Sequence, residues 1–274
     1  MKIGIDLGGT NMRVGLVDNG KIIKSVIRPC PSKESENIVV EQLIDQIKSV
    51  INPNVSSIGV GVPSVVDVKT GIVYNVANIP SWKEVHLKEI LEKVFNIPVA
   101  VNNDANCFAL GAKEFGASKN FKDVVGITLG TGVGAGIIIN NKLFNGANTG
   151  AGEIGSLPYL DSDFESHCSS AFFTREYGVS GKEASLMMTN GDNKASIIWS
   201  HFGKNMGELI KAVLFAYDPE AIILGGSISN AYKYFENEMW NSIKTFPYQN
   251  IVNNIKIYVN DVEDVAILGA SELI

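Results

Sequence analysis

Apolar positions along this chain switch between the two-residue period of a strand and the 3.6-residue period of a helix. Lys2-Ile-Gly-Ile-Asp-Leu7 reads as a strand running into a glycine turn. Ile38, Leu43, Ile44, Ile47, Val50 and Ile51 lie near helical spacing and predict an amphipathic helix over 35–51. The apolar run 58–62, stopped by Pro63, predicts a short buried strand. Leu87, Ile90, Leu91 and Val94 predict a helix over 86–95, residues 99–101 a buried strand, and 105–115 the helix that follows it. Residues 157–170 show no period and read as an irregular polar segment. Beyond them, 195–217 reads as a long helix, 222–224 and 255–259 as strands, and 265–273 as a closing helix. Strands alternating with helices predict an α/β protein built in layers.

An internal repeat sharpens this picture. Gly4, Ile5, Leu7 and Gly8 recur as Gly126, Ile127, Leu129 and Gly130. After a one-residue slip, Gly15-Leu-Val-Asp-Asn-Gly-Lys21 matches Gly136-Ile-Ile-Ile-Asn-Asn-Lys142. Each copy predicts strand, glycine turn, strand, tight polar turn, strand. Asn19-Gly20 and Asn140-Asn141 tolerate the positive φ that such a turn needs. A repeat near the middle predicts two domains of similar design facing a central cleft. They are expected at 1–108, completed by the closing helix at 264–274, and at 109–263.

Composition narrows the class. The 274 residues are 45% hydrophobic and 19% charged, which suits a soluble globular protein. The net charge of −6 argues against a dedicated nucleic-acid binder. No basic segment leads into an apolar one at the start, and no stretch approaches the ~18 apolar residues of a membrane span. Cys30, Cys107 and Cys168 are scattered without a C-x-x-C pair, so neither disulfides nor a zinc site is signalled. The expected compartment is the cytoplasm.

The chemistry starts at the glycine turns. A strand that ends in glycine brings bare backbone N–H groups up to a ligand, and successive N–H groups make an anion-binding nest. Gly8, Gly9, Thr10 and Asn11 form one such loop, and Gly130, Thr131 and Gly132 the other. Neither carries the Lys-Ser/Thr ending of a P-loop, and the second leads into a strand, unlike a dinucleotide fingerprint. Asp6 stands beside the first loop, either to hold Mg²⁺ through water or to cap the turn. Gly225 and Gly226 end a third strand, where a flat adenine could rest or the chain could simply turn. Asn102, Asn103, Asp104 and Asn106 cluster where a helix begins. Asp104 is either that helix's cap or a proton acceptor among amides suited to a sugar. Phosphoryl transfer needs positioning, charge neutralisation and such an acceptor. The acceptor needs no raised pKa if the proton leaves late.

Asp6-Leu-Gly-Gly-Thr-Asn11, Asn78-Ile-Pro-Ser-Trp82, Asn103-Asp-Ala-Asn106, Leu129-Gly-Thr-Gly-Val-Gly134 and Gly152-Glu-Ile-Gly155, in this order, resemble the sugar kinases of the ROK family (repressors, open reading frames and kinases). The resemblance implies a two-domain actin-like ATPase (ribonuclease H-like) fold, Mg·ATP as donor and a hexose hydroxyl as acceptor. It implies Asp104 as the base and sugar contacts from Asn78, Asn103, Asp104 and Glu153. Ser156 stands where the family usually has a histidine that binds sugar and zinc. Phosphate contacts are implied for Gly8, Gly9, Thr10, Asn11, Gly130, Thr131 and Gly132, adenosine contacts near Gly225 and Gly226, and a homodimer as the usual state. The family's zinc motif is degenerate here: only Cys168 and the neighbouring His167 remain, too few for a tetrahedral site, so no structural zinc is expected. His167 is expected on the surface or in a loop.

Two other readings stand beside the kinase. A sugar-sensing regulator of the family would carry a DNA-binding segment in front, and the first strand already begins at Lys2. A non-catalytic sugar-binding protein would have little use for Asp6 and Asp104 together.

Overall fold

The structure is a computed structural model that describes residues 1–274. The chain opens with β1 (Lys2–Leu7), β2 (Asn11–Asp18) and β3 (Lys21–Pro29), then α1 (Glu36–Val50) and β4 (Ser57–Val62). Three short strands follow, β5 (Val65–Asp67), β6 (Ile72–Tyr74) and β7 (Glu84–Val85), then α2 (Leu87–Phe95), β8 (Val99–Asn103) and α3 (Asp104–Phe115). The main sheet has the order β3-β2-β1-β4-β8. Its first three strands are antiparallel, and β4 and β8 join parallel to β1.

The order recurs in the second half. After β9 (Val124–Leu129), β10 (Val133–Ile139) and β11 (Lys142–Leu143), the chain adds β12 (Pro158–Tyr159), β13 (Ser162–Asp163) and four helices. These are α4 (Phe164–Cys168), α5 (Ser170–Tyr177), α6 (Gly181–Thr189) and α7 (Asn193–Tyr217). It closes with β14 (Ala221–Gly225), α8 (Tyr232–Ile243), α9 (Gln249–Asn254), β15 (Lys256–Val259) and α10 (Val265–Ser271). The second main sheet runs β11-β10-β9-β14-β15, strand for strand the order of the first. The sequence repeat is therefore a repeat of topology, the architecture of the actin-like ATPases. Both polar turns take positive φ as expected: 47° and 73° at Asn19 and Gly20, 53° and 62° at Asn140 and Asn141.

Each sheet has its own core. Ile3, Ile5 and Leu7 of β1 join Ile58 and Val60 of β4, Leu43 and Ile47 of α1 and Trp82. All six β4 residues are buried, as befits a parallel strand covered on both faces. In the second half, Phe172, Phe173, Trp199, Phe202 and Phe235 pack edge-on and stacked beneath β9, β10 and β14. The polar face of β1 and β4 is covered by α10. A Cβ on Gly59 would come within 1.7 Å of the Ala270 carbonyl oxygen, and one on Gly4 within 1.9 Å of that of Ile267, so only glycine permits this approach.

Two readings of the sequence are corrected. Residues 157–170 are ordered into the β12–β13 hairpin and α4 because Phe164 stacks on Tyr159 at 4.5 Å and Asp163 caps the helix through the Ser166 N–H. His167 is buried: its Nε2 lies 2.9 Å from Asp161, which also accepts from Arg175. The strand β14 enters a short 3₁₀ turn at Ser227–Ala231 before α8.

Candidate active site

The two glycine loops are hairpin turns at equivalent places. In the first, Leu7 pairs with Met12 and the Gly8 N–H bonds the Asn11 carbonyl at 2.9 Å. In the second, Leu129 pairs with Val133 and the Gly130 N–H bonds the Gly132 carbonyl at 3.0 Å. The first turn is one residue longer, which is the slip seen in the sequence. The N–H groups of Gly9, Thr10, Thr131 and Gly132 have no protein acceptor. Both loops thus offer free donors of the kind that bind anions.

Asn78 lies against the first loop: a Cβ on Gly9 would come within 2.3 Å of the Asn78 Cβ. Its segment is pinned by fully buried Trp82, whose N–H bonds the Ile79 carbonyl at 2.9 Å.

Asp6, on β1, pairs across the sheet with Arg13. Burial raises its pKa, Arg13 lowers it and Asp264 raises it again. Arg13 is also 3.7 Å from Asp264. Sequence reading passed over Arg13, although the register of the first hairpin places it opposite Asp6.

The turn from β8 into α3 separates two neighbours that spacing alone cannot distinguish. Asn103 is the helix cap: its Oδ1 accepts the N–H groups of Ala105 at 2.8 Å and Asn106 at 3.4 Å. Its Nδ2 donates to the Ser64 carbonyl at 3.3 Å. Asp104 is thereby not needed as the cap. Its carboxylate accepts the Ala105 N–H at 2.8 Å. Burial, then the charge of Asp6, pushes its pKa up to about 6, against the backbone N–H groups that lower it, and Glu153 adds to the rise. The sequence argument requires no such rise; the burial of the turn imposes it.

Behind this turn, Asn102 donates to Asn145 at 3.0 Å and accepts from Asn106 at 2.9 Å. A cavity of about 620 Å³ lies there, lined by Asn102 and Asn145 and not by Asp104 or Glu153.

Glu153 follows Gly152, whose φ of 99° and close approach to the Ala135 carbonyl require glycine. Glu153 and Ser156 are exposed at either end of the Ile154–Ser156 turn. At the third glycine pair the picture differs. The space over Gly225 is filled by the Phe108 ring, 2.2 Å from where a Cβ would lie. Gly226 takes a φ of 83° against the Leu129 backbone. Phe108 thus occupies the side of Gly225 from which a Cβ would project, and Gly226 turns the chain out of β14.

Asp6 and Asp104 are half-buried acids, the charge of Asp6 acts on Asp104, and Arg13 is the cation that acts on Asp6. No group of three or more metal-ligating side chains exists. Mg²⁺ binds through one or two carboxylates plus water and phosphate oxygens, so this donor set suits it.

Comparison with known proteins now decides the family. The ROK family model matches residues 2–274. The chain belongs to the ROK family. Among its ROK relatives, a glucokinase of Thermotoga maritima is 27% identical over 99% of this chain and 96% of its own length. The xylose repressor of Bacillus subtilis is also 27% identical, over 99% of this chain but 76% of its own length. The ROK glucokinase of Streptomyces griseus, solved with glucose and AMPPNP, superposes with a TM-score of 0.82 at 25% identity, covering 99% of this chain and 98% of that one. ROK membership thus embraces kinases and repressors alike. No helix of this ROK protein is long and apolar enough to cross a membrane.

Proposed function

We propose that this chain is a kinase that transfers the γ-phosphoryl of ATP to a hexose hydroxyl, with Asp104 as general base. The observation that carries the reading is the Asp104 carboxyl. It is half-buried, its neighbour Asn103 caps the helix, and its pKa of about 6 lies near the pH at which it would work. Likeness to the glucokinases of Thermotoga and Streptomyces supports ATP as donor and a sugar as acceptor.

The roles follow from the chemistry of phosphoryl transfer, which asks mainly for positioning and charge stabilisation. The free N–H groups of Gly9, Thr10, Thr131 and Gly132 hold phosphate oxygens from two sides, with Gly8, Asn11 and Gly130 shaping the loops. Asp6 and Asp104 face the metal and the acceptor. Mg²⁺, when bound, neutralises the charge of the transferring phosphoryl group. Asn78, Asn103, Glu153 and Ser156 hold sugar hydroxyls, and Asp104 takes the proton of the attacking one. Adenosine rests near Gly226.

A steady-state assay of hexoses with Mg·ATP tests this. Asp104→Asn is expected to lower kcat by about 10²–10⁴-fold while binding of a non-hydrolysable ATP analogue persists. In the unmodified protein kcat/KM should fall as the pH drops through about 6, where the base is protonated. Undiminished phosphorylation by Asp104→Asn refutes the assignment.

The likeness to xylose repressors supports a second reading, a sugar-responsive regulator. Sugar binding without turnover for any hexose would favour it.

A further inference from the structure

Asn145 lies just past β11, the edge strand of the second sheet, and meets the end of β8, the edge strand of the first. Its Oδ1 accepts the Nδ2 of Asn102 at 3.0 Å and that of Asn106 at 3.4 Å. Asn102 and Asn106 are both buried, so their amide hydrogens depend on acceptors inside the protein. Asn102 passes the link on. Its Oδ1 accepts the Asn106 Nδ2 at 2.9 Å and, at 2.8 Å, the N–H of Asn103, where the chain enters the Asp104 turn.

The backbone of the same residue reaches the other way. The Asn145 carbonyl accepts the Ala151 N–H at 3.4 Å and closes the loop that leads through Gly152 to Glu153. One residue thus touches the Asp104 turn of the first half through its side chain and the Glu153 loop of the second half through its main chain. Open space borders this junction. The lining of the 620 Å³ cavity includes Ala100 and Asn102 of β8 together with Lys142, Leu143 and Asn145. With a void at its side, the junction relies on its amide bonds, whose directionality sets a spacing and an angle.

We propose that Asn145 is a positioning residue that joins the Asp104 turn to the Glu153 loop and sets the sugar-side groups of the two halves against each other. It acts through Asn102 and Asn106 and touches neither sugar nor nucleotide. This rests on the kinase reading above, in which Asp104 and Glu153 both serve the acceptor. The role requires an accepting oxygen at this place. Aspartate supplies one in nearly the same shape; alanine does not. Loss of the link shows in hexose affinity and in turnover, because groups that are already in place cost less freedom on binding and hold the reacting hydroxyl in line. The glycine turns that hold phosphate have bonds of their own, so nucleotide affinity is left alone.

The test uses the full chain and Asn145→Ala, Asn145→Asp, Asn102→Ala and the double variant Asn102→Ala/Asn145→Ala. Calorimetry measures binding of glucose, mannose and fructose and, separately, of the Mg²⁺ complex of a non-hydrolysable ATP analogue, beside steady-state kinetics. Asn145→Ala should weaken hexose binding and lower kcat, each on the order of tenfold, with the analogue's affinity unchanged within about twofold. Asn145→Asp should recover hexose binding to within about threefold of the unmodified chain. Asn102→Ala breaks the same link, so the double variant should be no worse than Asn102→Ala alone. Unaltered hexose binding by Asn145→Ala overturns the proposal. So does an Asn145→Asp variant as impaired as Asn145→Ala, or full additivity in the double variant. Equal loss of hexose and nucleotide binding also overturns it, because that is general loosening of the fold. If the unmodified chain binds a hexose but phosphorylates none, the kinase reading falls while hexose calorimetry still decides the role of Asn145. If it binds no hexose, both fall.

Discussion

Asp104 gives up stability for the sake of its position. Its pKa in the folded chain is about 6 against an ordinary value of 3.8, which corresponds to about 3 kcal/mol. The folded state holds this proton more tightly than the unfolded one. The associated stability is therefore fully present below pH 3.8 and lost as the pH rises through about 6. At neutral pH the residue is a half-buried anion that feels the charge of Asp6, and the fold tolerates it. Asp104→Asn removes that charge and keeps an oxygen to accept the Ala105 N–H. Its melting temperature should exceed that of the unmodified protein by several degrees at pH 7.5, at about 2–4 °C per kcal/mol. The gap should close toward pH 4. Melting curves followed by circular dichroism at both pH values check this, and equal melting temperatures at pH 7.5 would contradict the burial argument.

Among the elements, those long enough to show a period were legible. The helix expected at 35–51 is α1, one residue shorter at each end, and the long helix expected at 195–217 is α7. The repeat was legible too, down to the slip that proves to be a longer first turn. What escaped was too short to repeat. β12, β13 and α4 hold together through Tyr159–Phe164 and His167–Asp161, contacts that no local pattern encodes. Composition also could not tell a glycine that clears space for a ligand from one that clears space for the protein. Gly225 belongs to the second kind because of Phe108, and Gly59 because of α10. At the site, the polar burst at residues 102–106 was visible, but not that Asn103 supplies the cap of α3 beside Asp104. Arg13 went unnoticed because it meets Asp6 through strand register. Gly59→Ala should cost about 3 kcal/mol or more by forcing α10 off β4, whereas Gly150→Ala, which meets open space, should fall within about 0.5 kcal/mol. Urea midpoints of the two variants separate these outcomes; equal midpoints would mean that α10 yields easily.

For the molecule as a whole, two like-ordered sheets each contribute one glycine turn with free N–H groups, and α3 runs from Asp104 into contact with β9 and β10. A polyphosphate held by both turns would draw the sheets together and exclude water from the transfer step. Small-angle scattering should show a smaller radius of gyration with hexose plus a non-hydrolysable ATP analogue than with neither. An unchanged radius would count against closure. The way the last helix is seated has a consequence of another kind. α10 lies in a groove of bare backbone lined by Gly4, Gly59 and Gly111, all made early. During synthesis at 5–20 residues per second, that groove waits roughly ten to thirty seconds between the emergence of β8 and that of α10. Through that interval the nascent first sheet presents an uncovered, chaperone-accessible face, and its final folding step waits for the emergence of α10.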